Sequence, residues 1–279
     1  MRLLVLTVLA LLAFAGNSLL CRLALREGAI DAASFTGLRL ASGALMLWLL
    51  VGLRTTRAGT AGGRGNWASA LALFAYAAGF SFAYLSLPAA TGALLLFGAV
   101  QVTMIGVALC RGERLHGGQW AGLVLACTGL VALLAPGLSA PPWRSALLML
   151  GAGASWGLYS LRGRGAGDPL QVTAGNFLRT LPMAAALSAL TIAAATANAM
   201  GILAAVASGA LASGLGYAIW YTVLPSLRAT TAASVQLAVP VLAAIAGIVW
   251  LAEPLSWRLV LAAAAVLGGI ALVTVRRRA

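Results

Sequence analysis

The sequence predicts an all-α integral membrane protein with ten transmembrane helices, arranged as a 5+5 inverted repeat with both termini inside. Three observations lead to this fold class: an apolar composition, a series of long apolar runs, and an internal repeat. The mean hydropathy is +1.00, and 62% of the residues are hydrophobic whereas 8% are charged. Soluble domains carry roughly 25% charged residues, so this composition indicates a membrane protein.

The apolar runs predict helices because each backbone amide inside a bilayer must be hydrogen-bonded within its own segment. In chain order, we place the spans at 3–25, 32–53, 67–87, 91–111, 118–136, 144–162, 169–193, 199–223, 228–251 and 256–275. The third and fourth runs meet at a tight turn around Leu87-Pro88. The apolar start resembles a secretory signal, but its run continues to Leu25, which favours a retained first helix.

The arginines predict the orientation because cationic loops stay on the cytoplasmic side. With the N-terminus inside, 12 of the 18 cationic residues are cytoplasmic. They are Arg2, Arg54, Arg57, Arg64, Arg111, Arg114, Arg162, Arg164, Arg228 and Arg276 to Arg278. The net charge of +13 is spread over loop ends, so we interpret it as a topology signal. We expect the lipid bilayer as a partner, and no nucleic acid.

An internal repeat divides the chain into residues 1–137 and 138–279. Shifting positions by 140 residues places Glu113 on Glu253 and Arg39 on Arg179, two coincidences in a chain with few charges. Five helices are an odd number, so the second unit enters the membrane from the opposite side. Inverted repeats of this kind support alternating access around a site near the bilayer midplane.

Polar and aromatic side chains deep in the spans are the first candidates for a substrate site. Asn17, Gln101 and Gln236 carry amides, and placing an amide in the hydrocarbon of a bilayer is unfavourable. These residues are expected either to line a cavity or to connect helices by hydrogen bonds. Aromatic residues recur on the third and eighth spans at helical spacing, namely Tyr76, Phe80, Tyr84, Tyr217, Trp220 and Tyr221. Such stripes serve either packing or a cavity for aromatic or apolar solutes.

Two arginines inside spans have two interpretations. Arg39 and Arg179 either bind a substrate carboxylate through paired hydrogen bonds or connect helices near the membrane interface. Glu113 and Glu253 lie at helix ends beside arginines. We expect these two carboxylates to fix turns rather than to carry protons.

Motifs in both halves resemble the drug/metabolite transporter superfamily, in its EamA-type branch of ten helices. The first half carries Phe14-Ala15-Gly16-Asn17 followed by Arg22, then Phe35-x-x-x-Arg39 and Gly112-Glu113-Arg114-Leu115. The second half carries Trp156-Gly157-Leu158-Tyr159 followed by Arg164, then Arg179, and Pro240 before Ala252-Glu253-Pro254-Leu255. The chain differs from the family pattern at Phe14, Arg22 and Val100, where Trp, Lys and Pro are usual.

The resemblance implies a central cavity and the efflux of amino acids, related metabolites or lipophilic drugs. It is closest to bacterial exporters of aromatic amino acids, and it adds Trp156 and Tyr159 to the predicted lining. We predict an inner-membrane secondary transporter that exports aromatic or neutral amino acids and acts as a monomer. The alternatives are efflux of multiple drugs or lipophilic cations, and a membrane receptor or scaffold. Candidate hinges are Pro88, Pro182, Pro225 and Pro240.

An enzyme is the rival class, and the motif Gly153-Ala154-Ser155-Trp156-Gly157 matches the serine hydrolase elbow G-x-S-x-G. That elbow requires a strand-to-helix turn, whereas this motif lies inside an apolar helical run. The only histidine, His116, falls at a predicted turn on the opposite side. One histidine and five scattered acids offer no metal ligand set. We therefore predict a non-enzymatic protein without metal or cofactor.

Overall fold

The computed structural model describes residues 1–54, 64–112, 114–137, 140–163, 167–227 and 235–274. Ten helices form within these residues. They are α1 (Arg2–Arg26), α2 (Ala32–Arg54), α3 (Trp67–Tyr84), α4 (Ala89–Cys110), α5 (Gly117–Leu134), α6 (Trp143–Gly163), α7 (Pro169–Leu190), α8 (Ala199–Val223), α9 (Ala238–Leu251) and α10 (Trp257–Thr274). The all-α prediction is confirmed for the described residues, and nine helices match the predicted spans to within a few residues. α9 differs, because it begins at Ala238 whereas the ninth span was predicted from residue 228.

Some predictions concern residues that the structure does not describe. They include Glu113, part of the ninth predicted span at 228–234, and Arg57, Arg164, Arg228 and residues 276–278. Within the described residues, seven helices are long and apolar enough to cross a membrane, and α9 is a shorter apolar helix. The exact number of spans, the 5+5 repeat and the orientation therefore stay predictions.

Side-chain caps explain where several helices begin. Asn66 accepts a hydrogen bond from the Ser69 backbone N–H and starts α3, and Asn198 accepts one from Gly201 and starts α8. Asp168 caps α7, which has a proline as its first residue. These side chains satisfy backbone N–H groups that have no partner within the helix.

The strongest helix contacts follow the predicted repeat, because exchanging each helix for the one five places along preserves them. α6 packs against α3 and α4, and α1 packs against the corresponding α8 and α9. Three further contacts join equivalent helices of the two predicted halves, namely α2–α7, α4–α9 and α5–α10. α1 and α6 therefore each pack against two helices of the other predicted half.

The eight tryptophans fall into two groups. Six of them, near helix ends, expose about half or more of their surface: Trp48, Trp67, Trp120, Trp143, Trp250 and Trp257. Tryptophan is enriched at membrane–water interfaces, where its ring is partly apolar and its N–H is hydrated. The other two, Trp156 and Trp220, point into the bundle and line a central cavity.

Candidate functional site

A cavity of about 450 Å³ lies among the central helices. Most of its lining is aromatic or apolar, with a few polar groups. The lining residues are Phe14, Asn17, Ser18, Tyr76, Phe80, Leu96, Phe97, Val100, Gln101, Met104, Trp156, Ser160, Gly163, Pro169, Ala212, Tyr217, Trp220, Tyr221, Leu224, Leu227 and Gln236. This volume and this mixture of apolar walls with few polar groups are typical of small-molecule sites.

Aromatic rings from four helices meet at this cavity. The ring of Trp156 on α6 lies 4.9 Å from that of Tyr76 on α3 and 5.1 Å from that of Tyr217 on α8, measured between centroids. Phe14 on α1 contacts Tyr217 and Trp220 edge-on at 5.8 and 5.9 Å. The walls therefore include helices from both predicted repeats.

Of the twelve residues that the sequence nominated for substrate binding, eight line the cavity. They are Asn17, Tyr76, Phe80, Gln101, Trp156, Tyr217, Trp220 and Gln236. The other four, Arg39, Tyr84, Tyr159 and Arg179, lie outside the lining. Their roles as substrate contacts stay predictions, and their surroundings are described next.

Arg39 lies behind the cavity wall and is 2% exposed. Its Nη2 donates to the Tyr76 hydroxyl at 2.9 Å, and its Nε donates to the Ser213 hydroxyl at 3.3 Å. Its Cζ lies 5.1 Å from the centroid of the Tyr76 ring and 4.9 Å from that of Phe80. The guanidinium thus supports two residues that line the cavity.

Tyr84 and Tyr159 are packed beside the cavity residues. Tyr84 is fully buried, donates to the Ala89 carbonyl at 3.2 Å and contacts the Phe80 ring edge-on at 4.7 Å. Tyr159 is 3% exposed, and its ring lies 5.4 Å from that of Trp156. Both side chains hold the aromatic wall in place.

Arg179 binds backbone carbonyls near one end of the bundle. Its Nη1 donates to the carbonyl of Arg64 at 2.6 Å and to that of Gly175 at 2.8 Å. Of the two interpretations that the sequence left open, this geometry matches a connection between helices.

The sequence did not predict the irregular middle of α8, where Ser208–Leu215 form a π-helical segment. Ser208 donates to the Asn17 side-chain oxygen at 2.5 Å, and Ser213 accepts from Arg39. Residues five apart lie about 140° apart around an α-helix, but i→i+5 hydrogen bonding brings them close together. The π-helical segment therefore turns both serines toward the same cluster.

Other lining residues were also missing from the predicted site, among them Ser18, Phe97, Met104 and Tyr221. Phe14 was noted only as a departure from the family pattern. The helical spacing placed Tyr221 on one face with Tyr217 and Trp220, but Tyr221 was not among the residues nominated for substrate binding. Leucine, methionine and phenylalanine in an apolar span carry no comparable signal.

One end of the bundle is closed by a buried ion pair. Glu253 follows α9 and pairs with Arg22 on α1 at 3.0 Å, with their side chains 7% and 13% exposed. The second oxygen of Glu253 accepts from the Ala89 backbone N–H at 2.7 Å, at the start of α4. Arg22 also donates to the Tyr84 carbonyl at 3.0 Å. The turn contact predicted for Glu253 is therefore present and joins three helices.

The backbone at Ala252 directs Glu253 toward this pair. Ala252 adopts a left-handed conformation with φ 49°, and the Glu253 N–H donates to the Gly247 carbonyl at 3.1 Å. Few non-glycine residues adopt positive φ. Gly112, which is equivalent to Ala252 at the offset of 140 residues, has φ 88°.

The opposite end of the bundle has a weaker arrangement. α3 and α6 run antiparallel, since Ser86 contacts Ser145 near one end and Arg162 reaches Ser69 near the other. Arg162 is equivalent to Arg22 at the same offset, and it donates at 3.3 Å to the Ser69 hydroxyl. These ends are about 27 Å apart along the 18 residues of α3.

A connection through Asp31 at the Arg22 end adds to this closure. The Asp31 carboxylate accepts hydrogen bonds from the backbone N–H groups of Ala33, Ser34 and Thr196. Partial burial acts to raise the pKa of Asp31, but the hydrogen bonds to its carboxylate, from Ser34 first, outweigh burial and lower that pKa. Asp31 thereby joins the start of α2 to the segment before α8.

The candidate hinge prolines occupy different positions. Pro88 precedes the first residue of α4, and Pro182 lies inside α7. Pro225 falls in the 3₁₀ turn Leu224–Ser226, and Pro240 is in the first turn of α9, where its missing N–H removes no helical hydrogen bond. Of the four, only Pro182 interrupts a helix interior, and hinge roles stay predictions.

Metal ligands do not cluster in the described part of the chain, where no three His, Cys, Asp or Glu side chains come together. His116 precedes α5 and takes part in a capping box with Gln119. Ser155 lies within α6, so the G-x-S-x-G motif is on a helix.

Comparisons with known proteins show what the chain resembles. Residues 143–275 match the model of the EamA-like transporter family. The chain is 60% identical over 276 residues to the uncharacterized protein PA1977 of Pseudomonas aeruginosa, covering 99% of this chain and 96% of that protein. A solved crystal structure superposes with a TM-score of 0.66 at 23% identity, covering 95% of this chain and 96% of the other. At that identity, the likeness concerns the fold.

Proposed function

We propose that the protein is a secondary transporter of the EamA-like family that exports amino acids, and the match of residues 143–275 to the model of that family supports this proposal. We infer aromatic or neutral amino acids as substrates, and the bacterial inner membrane as the location. The central observation is the cavity of about 450 Å³, which is bounded by rings from α1, α3, α6 and α8.

The shape and chemistry of the cavity support this substrate class. Its volume accommodates a single small molecule. Flat apolar side chains pack well against aromatic rings in offset or edge-to-face arrangements. The amides of Asn17, Gln101 and Gln236 lie in the same lining and could hydrogen-bond the polar part of an amino acid.

Alternating access accounts for the difference between the two ends of the bundle. The Arg22–Glu253 pair and the Asp31 connections close one end, which is the outer side in the orientation that the arginines predict. Toward the other end, the cavity reaches Ser160, Gly163 and Pro169. We infer a state that is closed outside, and exchange with the opposite state would require the Arg22–Glu253 pair to separate. The strongest helix contacts, which the exchange of equivalent helices preserves, support two inverted units of five helices.

Efflux of lipophilic cations is the second candidate. Aromatic faces attract cations, and Trp156, Tyr217 and Trp220 supply such faces. The buried guanidinium of Arg39 beside Tyr76 and Phe80 opposes this alternative, because its charge repels a second cation.

The test is counterflow of labelled phenylalanine, tryptophan and threonine in proteoliposomes that contain only this protein, with and without a proton gradient. We expect saturable movement of the two aromatic amino acids. Dependence on the gradient would identify proton coupling. If folded protein moves no amino acid but moves a lipophilic cation, the second candidate replaces the first.

Two substitutions connect any observed transport to the cavity. Trp220→Ala and Phe80→Ala should each lower the apparent affinity for aromatic amino acids by about 10-fold, because each removes a buried aromatic contact. Trp120→Ala is the matched control, since Trp120 is 47% exposed and outside the lining. Unchanged transport by the folded cavity variants would assign substrate to another part of the protein.

A further inference from the structure

Arg39 is a buried cation that has only neutral partners. Within the described residues the structure contains one ion pair, Arg22–Glu253. Arg39 instead donates to the hydroxyls of Tyr76 and Ser213. A guanidinium stays protonated in proteins, and buried charges are normally paired. An uncompensated positive charge therefore lies directly behind the cavity wall.

The hydrogen bonds around Arg39 leave donors unused and acceptors occupied. The Tyr76 hydroxyl accepts from Arg39 Nη2 at 2.9 Å and from Asn17 Nδ2 at 3.3 Å. Two accepted bonds fill the lone pairs of a hydroxyl, so its own O–H remains available to donate. The Asn17 oxygen accepts from Ser208, and Arg39 Nη1 is buried without a hydrogen-bond partner in the described structure. The cluster thus offers donors to a ligand that brings acceptors.

Two residues of this cluster present hydrogen-bond donors to the cavity. Asn17 and Tyr76 are in the lining, whereas Arg39 is covered by the rings of Tyr76 and Phe80. A ligand would therefore contact the Tyr76 hydroxyl and the Asn17 amide, and Arg39 would supply the charge behind them. Hydrogen bonds to an ionised acceptor are roughly twice as strong as those between neutral groups.

The remaining lining lacks a partner for a cationic group. No Asp, Glu, Lys or Arg belongs to the described lining, so no carboxylate is placed to receive an ammonium group. Arg39 also places its charge against the faces of Tyr76 and Phe80, which are the surfaces that would otherwise attract a cation. The single uncompensated positive charge of Arg39 therefore favours a ligand with a single negative charge.

We propose that Arg39, Tyr76 and Asn17 form a carboxylate subsite, and that the cavity selects aromatic monocarboxylates whether or not they carry an ammonium group. The carboxylate oxygens accept from the Tyr76 hydroxyl and the Asn17 amide, and the aromatic ring packs toward Trp156 and Tyr217. This proposal rests on the proposed transport through the same cavity, and it narrows the substrate class within it.

Three compounds with the same phenyl ring test the subsite: phenylpropionate is an anion, phenylalanine a zwitterion and phenethylamine a cation. Their binding to the full chain in lipid nanodiscs is measured by isothermal titration calorimetry. Phenylpropionate should bind at least as tightly as phenylalanine, and about 10-fold or more tighter than phenethylamine, because only the first two satisfy the donors. Binding of phenethylamine as tightly as phenylpropionate would overturn the proposal.

The substitution Tyr76→Phe removes one hydroxyl and keeps the ring. It should weaken phenylpropionate about 10-fold, as expected for a hydrogen bond to a charged group, and leave phenethylamine unchanged. Ser81→Ala is the control, because it removes a buried hydroxyl from the same helix outside the lining. Equal losses for all three compounds in Tyr76→Phe would show a packing role and overturn the subsite.

Transport of the same compounds separates the two proposals. If all three cross proteoliposomes at similar rates, the transport function stands and the subsite is wrong. If phenylpropionate binds in a Tyr76-dependent way but none of the three compounds crosses, the subsite stands and the transport function is wrong. If the folded protein neither binds nor moves any of them, both proposals are wrong.

Discussion

The interface of α5 with α10 and the surroundings of Arg39 show two different outcomes of the same repeat. Gly129 and Gly269 are equivalent at the offset of 140 residues, and both allow α5 and α10 to approach closely. Arg39 and Arg179 are equivalent by the same offset, yet Arg39 binds hydroxyls beside the cavity and Arg179 binds the backbone carbonyls of Arg64 and Gly175. The helix packing is shared, whereas the polar cluster is not.

The reason for the difference lies in the partners of the two arginines. The position equivalent to Tyr76 is Gly216, and the position equivalent to Ser213 is Leu73. Without those hydroxyls, Arg179 finds acceptors only in backbone carbonyls. A repeated helix arrangement can therefore carry an asymmetric site, because a few side chains decide where buried donors find acceptors. Four paired substitutions test this comparison, beginning with the largest expected effect.

The equivalent residues Arg22 and Arg162 should differ most in stability. Arg22→Ala leaves the Glu253 carboxylate buried without its cation, which should destabilise the protein by about 3 kcal/mol. Arg162→Ala removes a longer hydrogen bond to Ser69 and should cost about 1 kcal/mol or less. Thermal unfolding in detergent measures both. Equal losses of stability in the two variants would mean that Arg22 and Arg162 stabilise their ends of the bundle to the same extent.

The neighbouring glycines of α10 test the shared interface. A Cβ on Gly269 would lie 2.6 Å from the Ala126 backbone nitrogen, whereas one on Gly268 would meet nothing within 4 Å. Gly269→Ala should therefore destabilise the protein by about 2 kcal/mol. Gly268→Ala should leave stability unchanged or raise it by about 1 kcal/mol, because alanine is the better helix former. Similar unfolding temperatures for both would contradict close packing of α5 on α10.

Arg39 and Arg179 can be compared directly by binding. Arg39→Gln should weaken phenylpropionate by about 10-fold or more, because it removes the charge behind the donors. Arg179→Gln should change that affinity by less than about 2-fold, since Arg179 contacts backbone carbonyls away from the cavity lining. Calorimetry on folded nanodisc samples measures both. Equal losses would place the two arginines in equivalent roles.

The smallest expected effect concerns the turns before the equivalent glutamates. Ala252 holds φ 49° where Gly112 in the other half holds φ 88°. Ala252→Gly should stabilise the protein by about 0.5 to 1 kcal/mol, because glycine adopts this region without steric cost. Gly112→Ala should destabilise it by a similar amount. A lower unfolding temperature for Ala252→Gly would show that Ala252 contributes more by packing than it costs in backbone strain.

The sequence by itself determined the helical class, the positions of the helices and most of the aromatic lining. Long apolar runs allow only helices in a membrane, and the spacing of Tyr76 and Phe80 places both on one helical face. Eight of the twelve nominated residues line the cavity. Periodicity carries such information because it depends only on neighbours along the chain.

The tertiary structure alone decided which polar groups meet. The pairing of Arg22 with Glu253 joins residues that are 231 positions apart, and no local pattern specifies that distance. The π-helical segment of α8, which brings Ser208 to Asn17 and Ser213 to Arg39, also has no signal in the hydrophobic periodicity. Arg39 and Arg179 occupy equivalent positions in the repeat. Only the groups packed around each arginine decide that Arg39 binds hydroxyls beside the cavity and that Arg179 binds backbone carbonyls.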